Sequence, residues 1–246
     1  MRYVPAIMAS PSSSKTFVLV HGAWHGGWCW CRVEERLRAL GHVVFSPTLT
    51  GLGERAHLRT GTTNLSTHIA DIAGVFTYER LDQVVLCGHS YGGMVISGVA
   101  ERAASAIASI VYLDAVVPVH GDSMVSLVPT PVRAAIDTAL ARGERTVPAP
   151  SAAKFNVNEV DRAWVDGLCG PQPLDCLTEK ITLTGAYERI ARKTYIRAGN
   201  YPNPMFEAAF ARVRADRSWV THEVPCGHDV MVDAPERLTE LLLAAS

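Results

Sequence analysis

The pentapeptide Gly88-His89-Ser90-Tyr91-Gly92 offers the clearest chemistry in the chain, because it places a serine hydroxyl between glycines. Residues 83–87 before it are mostly apolar and of strand type, and residues 93–100 after it are small and apolar, as in a closely packed helix. A strand, G-x-S-x-G and a helix in succession form a nucleophile elbow, which holds the serine on a strained turn. A glycine-rich turn that merely contains a serine remains the alternative, since short motifs also match by chance.

A serine hydroxyl is a weak nucleophile unless a base takes its proton, and the base needs an acid to orient it. The functional loops of an open parallel sheet gather at the carboxyl ends of its strands. His228 meets this requirement late in the chain, because it follows the last predicted strand, residues 219–224, directly after Gly227. We therefore predict His228 as the general base.

The other eight histidines are assigned different roles. His89 adjoins the serine, but its side chain is expected to point away from it. His21 and His25 lie in the loop after the first strand, where we expect them to shape that loop. The rest are expected to be surface or satisfied structural residues: His42, His57, His68, His120 and His222. Histidines scattered in this way do not form a metal site, so no metal is expected.

The acid of the site has two candidates. Asp114 ends the predicted strand 108–114, which follows the elbow helix and so ends at the same sheet edge as the serine. After the predicted strand 193–198 no carboxylate occurs before Glu207, which lies inside a predicted helix, residues 203–215. We favour Asp114 over Glu207, while a residue that only caps the next turn is the alternative interpretation of Asp114.

The oxyanion of a tetrahedral intermediate needs two backbone N–H donors. The amide of Tyr91 follows the serine and points into the same space. The loop after the first predicted strand, residues 16–20, is expected to supply the second donor, which we assign to Ala23. Gly22 immediately before it leaves room for this loop to approach the site.

Composition limits the classes of protein and partner that fit this chain. It has 246 residues, of which 48% are hydrophobic and 19% charged, with a net charge of −1. These values predict one soluble globular domain, with neither nucleic acid nor a membrane surface as partner. No apolar run approaches the roughly 20 residues of a membrane span. Six cysteines dispersed in apolar stretches predict a reduced, cytoplasmic protein.

Strand and helix patterns alternate along the chain, which predicts an α/β fold with a mostly parallel central sheet and helices on both faces. This core is expected to comprise residues 16–117 and 191–246, preceded by a disordered lead-in at 1–15.

Between the two parts of the core, residues 118–190 contain many prolines and short helical patterns, such as 132–141 and 181–190. This stretch is too long for a simple connection, so we predict an insertion with structure of its own. Residues 51–56 match a dinucleotide-binding fingerprint, but no apolar helix follows them, and a loop near the mouth of the site is expected instead.

Three stretches, residues 18–28, 88–94 and 227–235, resemble the α/β-hydrolases in the same order. Within that family the chain resembles the plant methylesterase and hydroxynitrile lyase group and its bacterial esterase relatives, over about residues 17–241. The resemblance implies an α/β-hydrolase fold, a catalytic pair of Ser90 and His228, and a helical cap inserted after the strand that follows the nucleophile helix.

Two departures from this group refine the resemblance. Its plant members carry their acid in the segment corresponding to residues 199–204, where this chain has no carboxylate. Some other α/β-hydrolases place the acid after the strand that follows the elbow, which supports Asp114. The lyases have a lysine beside the catalytic histidine and a threonine after the first-loop histidine, whereas this chain has Asp229 and Gly22 and so resembles the esterase branch.

Together these features predict a serine hydrolase that cleaves a small apolar or aromatic carboxylic ester through an acyl-enzyme, without a cofactor. The alternatives are a lactone or amide hydrolase, a cofactor-free oxygenase, or a non-catalytic ligand receptor, since fold alone does not decide function. A homodimer is compatible with the sequence, and the ester is not identified. The side chains expected to wall an apolar pocket, with core packing as the alternative for each, are Trp24, Trp28, Leu127, Trp164 and Met231.

Overall fold

The computed structural model describes residues 14–246, so the predicted lead-in at 1–15 lies almost entirely outside the described residues. Six strands of this part form one parallel sheet, in the order β2-β1-β3-β4-β7-β8, and β5 pairs with β6 in a separate antiparallel sheet. The mostly parallel sheet expected from the sequence is confirmed. In chain order the strands are β1 (Thr16–Val20), β2 (Val43–Phe45), β3 (Val84–His89), β4 (Ile107–Leu113), β5 (Thr146–Val147), β6 (Gln172–Pro173), β7 (Arg192–Ala198) and β8 (Trp219–Val224).

Helices cover both faces of the central sheet. Within the described residues they are α1 (Cys31–Ala39), α2 (Leu65–Tyr78), α3 (Gly92–Ala103), α4 (Met124–Leu127), α5 (Thr130–Ala141), α6 (Arg162–Leu168), α7 (Asp175–Thr178), α8 (Pro204–Arg214), α9 (Val230–Asp233) and α10 (Pro235–Ala245). None of the helices in residues 14–246 combines the length and the apolar character that crossing a membrane requires.

The inner strands β1, β3 and β4 are mostly apolar because successive side chains face two different helix layers. Phe17 and Leu19 of β1 belong to a core cluster with residues of α1 and α10. Val18 and Val20 of the same strand belong to a second cluster with residues of α2, α3 and α8. Both faces of the sheet are therefore buried, and the site can form only where the strands end.

Residues 118–190 leave the central sheet after β4 and return to it at β7, and they contain α4 to α7 and the β5–β6 pair. Many contacts attach them to the rest of the chain, and two of these lie close to the site. The guanidinium of Arg32 on α1 donates to both carboxylate oxygens of Asp161, at 2.6 and 2.8 Å. The N–H of His228 donates to the carbonyl of Phe155 at 2.8 Å, which joins this insertion directly to the loop after β8.

The helix expected over residues 181–190 is wrong, because only a 3-10 turn, Tyr187–Arg189, forms there. The Glu101 carboxylate on α3 accepts hydrogen bonds from the N–H groups of Thr184 and Ala186, at 2.9 Å each. Gly185 between them has a φ of +82°, which interrupts a right-handed helix. A side chain distant in sequence thus satisfies backbone donors that a helix would otherwise have used.

Candidate active site

Ser90 lies on a tight turn between the end of β3 and the start of α3. Its φ of +55° is costly for a residue with a side chain, by about 1–3 kcal/mol. Backbone hydrogen bonds hold this conformation, since the Ser90 N–H donates to Leu113 and its carbonyl accepts from Gly93 and Val116. A Cβ at Gly88 would approach the Gly92 carbonyl oxygen to 2.6 Å, so the strand and helix can pass this closely only with glycine there.

Asp114 is fully buried in the first position after β4 and also has a positive φ, of +39°. Its N–H donates to the carbonyl of Ile196, and its Oδ1 accepts from the N–H of Ala198 at 3.1 Å, so β7 holds both its backbone and its side chain. Its Oδ2 lies 2.6 Å from Nδ1 of His228. Parallel pairing of β4, β7 and β8 therefore brings together two residues that are 114 positions apart.

The alternative acid is not near the histidine. Glu207 lies on α8, and its half-exposed carboxylate pairs with Arg197 at 3.0 Å. Of the two carboxylates expected from the sequence, only Asp114 therefore contacts His228.

His228 is buried, and three of its neighbours fix its ring. Because Nδ1–H donates to the Asp114 carboxylate, Nε2 is left as the acceptor nitrogen of the neutral ring. Tyr201 stacks on the ring at 4.6 Å between centroids and Phe206 at 5.0 Å. No hydrogen bond from the Ser90 hydroxyl occurs within the described residues, and catalytic contacts often shorten only when substrate binds.

Sequence reasoning missed these two aromatic neighbours. Tyr201 lies in the loop after β7, where the resemblance drew attention only to a missing acid. Phe206 lies in the helix predicted over residues 203–215, but the sequence does not indicate that its side chain packs on His228. The position of Tyr201 after a strand of the parallel sheet is the one signal that could have drawn attention to it.

Ala23 and Tyr91, the expected oxyanion donors, are both buried beside Ser90. Within residues 14–246 neither N–H donates a hydrogen bond to the protein, so both are free for a ligand oxygen. His21 orients the first donor, because its Nδ1 lies 2.8 Å from the Gly22 carbonyl and its Nε2 accepts from Leu49. A peptide unit is planar and trans, so fixing the Gly22 oxygen directs the Ala23 N–H to the opposite side.

Gly22 is the point where this loop meets the serine. A Cβ built on it would lie 2.9 Å from Cβ of Ser90 and 2.9 Å from Nδ1 of His89, closer than real Cβ contacts. A threonine at this position, as in the lyases of the resemblance, would require the loop or the serine to move. The glycine at position 22 therefore fits the close approach that the sequence predicted.

We expect Gly22→Ala to lower kcat by about tenfold or more, because a displacement of about 1 Å at a reacting group costs up to about a hundredfold. Steady-state hydrolysis of a chromogenic ester measures this effect. Gly61→Ala is the matched control, since nothing lies within 4 Å of its Cβ and its activity should equal that of the unmodified chain. Equal kcat values for the two variants would contradict the close approach.

The expected pocket residues lie in two regions of the structure. Trp24 is half-buried, with its ring 6.0 Å from that of Phe155, and its φ is +67°. Trp28 and Trp164 pack against each other at 5.2 Å, and Trp28 also stacks on His25. Met231 is fully buried in the core cluster of α1 and α10. All three tryptophans also pack against this cluster, so these four side chains share one region, and their contact with a substrate stays a prediction.

Leu127, the fifth expected pocket residue, lines a largely apolar cavity of about 400 Å³ between α4 and α8. Val116 and Met205 also line it. The cavity borders the site, because the Val116 N–H donates to the Ser90 carbonyl and Met205 precedes the phenylalanine that stacks on His228. Apolar side chains dominate ligand pockets in general, so this cavity is a candidate subsite.

Three buried histidines are neutral in the folded chain. Burial lowers the pKa of His21 to about 3, and it also lowers the pKa values of His68 and His89. The hydrogen bonds of His68 define its tautomer. Its Nε2–H donates to the Thr50 carbonyl, so its Nδ1 accepts from the Tyr91 hydroxyl at 3.0 Å. This bond holds the ring of a proposed oxyanion donor.

These lowered pKa values predict an acid-sensitive fold. Unfolded histidine titrates near pH 6.5, so below that pH the unfolded chain binds protons that the folded chain excludes. The stability that these neutral histidines contribute is therefore fully present above about pH 6.5, and it is lost as the pH falls below that value. Each histidine that stays neutral in the folded chain adds up to about 1.4 kcal/mol per pH unit to the slope of the unfolding free energy.

Urea unfolding between about pH 7 and pH 5 measures this slope. In His68→Gln the unfolding free energy should change less steeply with pH, because one of the neutral rings is gone. An unfolding free energy that stays constant over this range would contradict the assignment of neutral buried histidines.

Comparison with known proteins agrees with this geometry. A family model described as the alpha/beta hydrolase family matches residues 17–241. A carbendazim hydrolyzing esterase from Nocardioides sp. (strain SG-4G) is 44% identical over 240 residues, covering 93% of this chain and 98% of that protein. Methylesterase 1 of Arabidopsis thaliana is 33% identical over 113 residues, covering 45% of this chain and 43% of that protein.

Among solved structures, an extracellular alpha/beta-hydrolase from a Paenibacillus species has a TM-score of 0.81 at 24% identity, covering 94% of this chain and 99% of that one. It is described as sharing structural and functional homology with Tobacco Salicylic Acid Binding Protein 2. The chain belongs to the alpha/beta hydrolase family. The expected relation to plant methylesterases and bacterial esterases is confirmed.

Proposed function

We propose that the protein is a carboxylic ester hydrolase in which Ser90 is the nucleophile, His228 the base and Asp114 the acid. The observation that carries this proposal is the 2.6 Å hydrogen bond between His228 and the buried Asp114, at the sheet edge where Ser90 lies on its strained turn. The esterase relatives support the same reaction class.

The proposed reaction has two half-reactions. Ser90 Oγ adds to the ester carbonyl carbon while His228 Nε2 takes the hydroxyl proton, and the Ala23 and Tyr91 N–H groups stabilise the oxyanion. On collapse the bond to the leaving alkoxide breaks, and the imidazolium returns its proton to that oxygen. Water then gives a proton to His228, adds to the acyl carbon and displaces Ser90, which recovers its proton.

The proposed substrate is a small ester with an apolar or aromatic group, for which the cavity beside Leu127 is the candidate subsite. Carbendazim belongs in the first substrate panel, because the relative named for its hydrolysis is 44% identical across nearly the whole chain. Residues 118–190 are proposed as the cap that selects the substrate. The six cysteines in the described chain are free thiols, which suits the reducing cytoplasm as the proposed location.

Covalent labelling tests this proposal. A fluorophosphonate should phosphonylate the folded protein on one residue, Ser90, identified by peptide mass spectrometry. The same protein unfolded in urea is the control and should remain unlabelled, because the reactivity depends on the assembled base and oxyanion donors. Absence of label on folded protein would contradict the proposal and favour the ligand-receptor alternative.

A further inference from the structure

A second buried histidine–carboxylate pair lies next to the proposed catalytic residues but takes no part in the mechanism above. His25 is 1% exposed and Asp229 is fully buried. His25 Nε2 lies 3.1 Å from Asp229 Oδ2, and His25 Nδ1 lies 2.8 Å from the carbonyl oxygen of Ala23. Both ring nitrogens therefore face acceptors.

This geometry requires a charged ring. A neutral imidazole has one N–H, so it can donate to only one of these two oxygens, whereas the imidazolium donates to both. Burial by itself lowers the pKa of His25, but the Asp229 carboxylate outweighs it and raises that pKa well above the ordinary value. In return, although burial disfavours the carboxylate, His25 holds the pKa of Asp229 below its usual range.

The two ends of the pair attach to the two halves of the proposed site. His25 holds the carbonyl of Ala23, whose N–H is a proposed oxyanion donor. Asp229 directly follows His228, whose own carbonyl lies 3.0 Å from His89 Nε2. The pair thus links loops that are 204 positions apart in the chain.

Stability alone is a weak reason for such a pair. Two charges removed from water are often no more stabilising than apolar groups of the same volume. In addition, Asp229 Oδ1 has no hydrogen-bond partner in the described residues, and His89 Nε2 is 3.8 Å from it. The Asp229 carboxylate is therefore incompletely hydrogen-bonded, and its one side-chain contact of this kind holds the His25 ring in place.

We propose that His25 and Asp229 are positioning residues that hold the oxyanion loop and the loop of the catalytic base in register. The inference rests on the proposed function. Neither residue touches the reacting atoms, so the effect acts through Ala23 and His228. Because oxyanion contacts form only in the transition state, loss of the pair should lower kcat and leave KM nearly unchanged.

His25→Phe is the first variant, since it removes both donors and retains a ring against Trp28, whose centroid lies 5.3 Å from that of His25. We expect kcat to fall by about 10- to 100-fold, less than the full loss of one oxyanion donor, with KM within about threefold. His25→Phe/Asp229→Asn guards against misfolding, because it removes the carboxylate that the single variant leaves unpaired.

Three further measurements separate positioning from a general loss of structure. Fluorophosphonate titration should still find about one reactive serine per chain, so the loss is in rate and not in the active fraction. The double variant should lose no more kcat than His25→Phe alone, because residues that act as a unit are not additive. Asp229→Asn should retain more kcat than Asp229→Ala, since its amide can still donate to His25.

Glu34→Gln is the matched control, because Glu34 is also a largely buried carboxylate in an ion pair, with Arg38, but it lies on α1, outside the proposed cap and both loops. It should lower the melting temperature and leave kcat per titrated site within about twofold. Three results would overturn this inference and leave the proposed function standing. These are an unchanged kcat in His25→Phe, multiplicative kcat losses in the double variant, and losses confined to KM or to the titrated fraction. A wild-type chain that neither reacts with the probe nor hydrolyses esters would overturn the proposed function itself, and this inference with it.

Discussion

Ser90→Ala is expected to reduce kcat for ester hydrolysis by about a million-fold, the scale found when the nucleophile of a serine hydrolase triad is removed. The residual rate would come from the oxyanion donors and from binding, which do not depend on the hydroxyl. The ratio of the two kcat values is measured with the same chromogenic ester, in short assays of the unmodified chain and in prolonged assays of Ser90→Ala. Activity above about one per cent of the unmodified chain would contradict the role of Ser90.

The same substitution should leave the fold intact. The Ser90 hydroxyl makes no hydrogen bond within residues 14–246, so its removal leaves no partner unsatisfied. Ser97→Ala is the matched control, because the Ser97 hydroxyl on α3 is buried and lies 2.7 Å from both the Gly93 carbonyl and the Tyr112 hydroxyl. That variant should lose about 1–3 kcal/mol of stability and retain its activity. Opposite effects of two serine-to-alanine changes would separate chemistry from structure.

Much of the fold follows from local sequence patterns. Strands such as β3 and β4 are predictable because burial on both faces makes them continuously apolar. Helices α2 and α10 are predictable because their apolar residues recur at helical spacing. The helix predicted at 181–190 is wrong because the Glu101 side chain binds the backbone there. Glu101 lies on another element, so no local sequence pattern could indicate this contact.

The site is predictable to the extent that strand ends define it. Ser90 and His228 follow from motif and position, and Asp114 from its place at the end of β4. The link between His25 and Asp229 could not be predicted, because both lie in loops whose side-chain directions are set by tertiary packing. For the same reason, the sequence could not show that Leu127 lines a separate cavity while the other four expected pocket residues lie in or against one core cluster.

Asp114→Asn provides the most discriminating test of the proposed acid. In the unmodified chain the carboxylate accepts from His228 Nδ1–H, which leaves Nε2 free to take the serine proton. An asparagine whose Oδ1 still accepts from Ala198 presents an N–H to Nδ1, which forces the proton onto Nε2. The base is then in the wrong tautomer, and kcat should fall by about 10,000-fold while the fold persists.

Glu207→Gln is the comparison that gives this result its meaning. Glu207 is half-exposed and pairs with Arg197, and surface pairs of this kind contribute at most about 1 kcal/mol. Its kcat should therefore remain within about twofold of the unmodified chain. If Glu207→Gln lost activity and Asp114→Asn kept it, the acid would be Glu207, and α8 would have to move so that its carboxylate reached His228. The hydrogen bonds from β7 that fix Asp114 argue against that rearrangement, because they hold this carboxylate against the histidine before any substrate arrives.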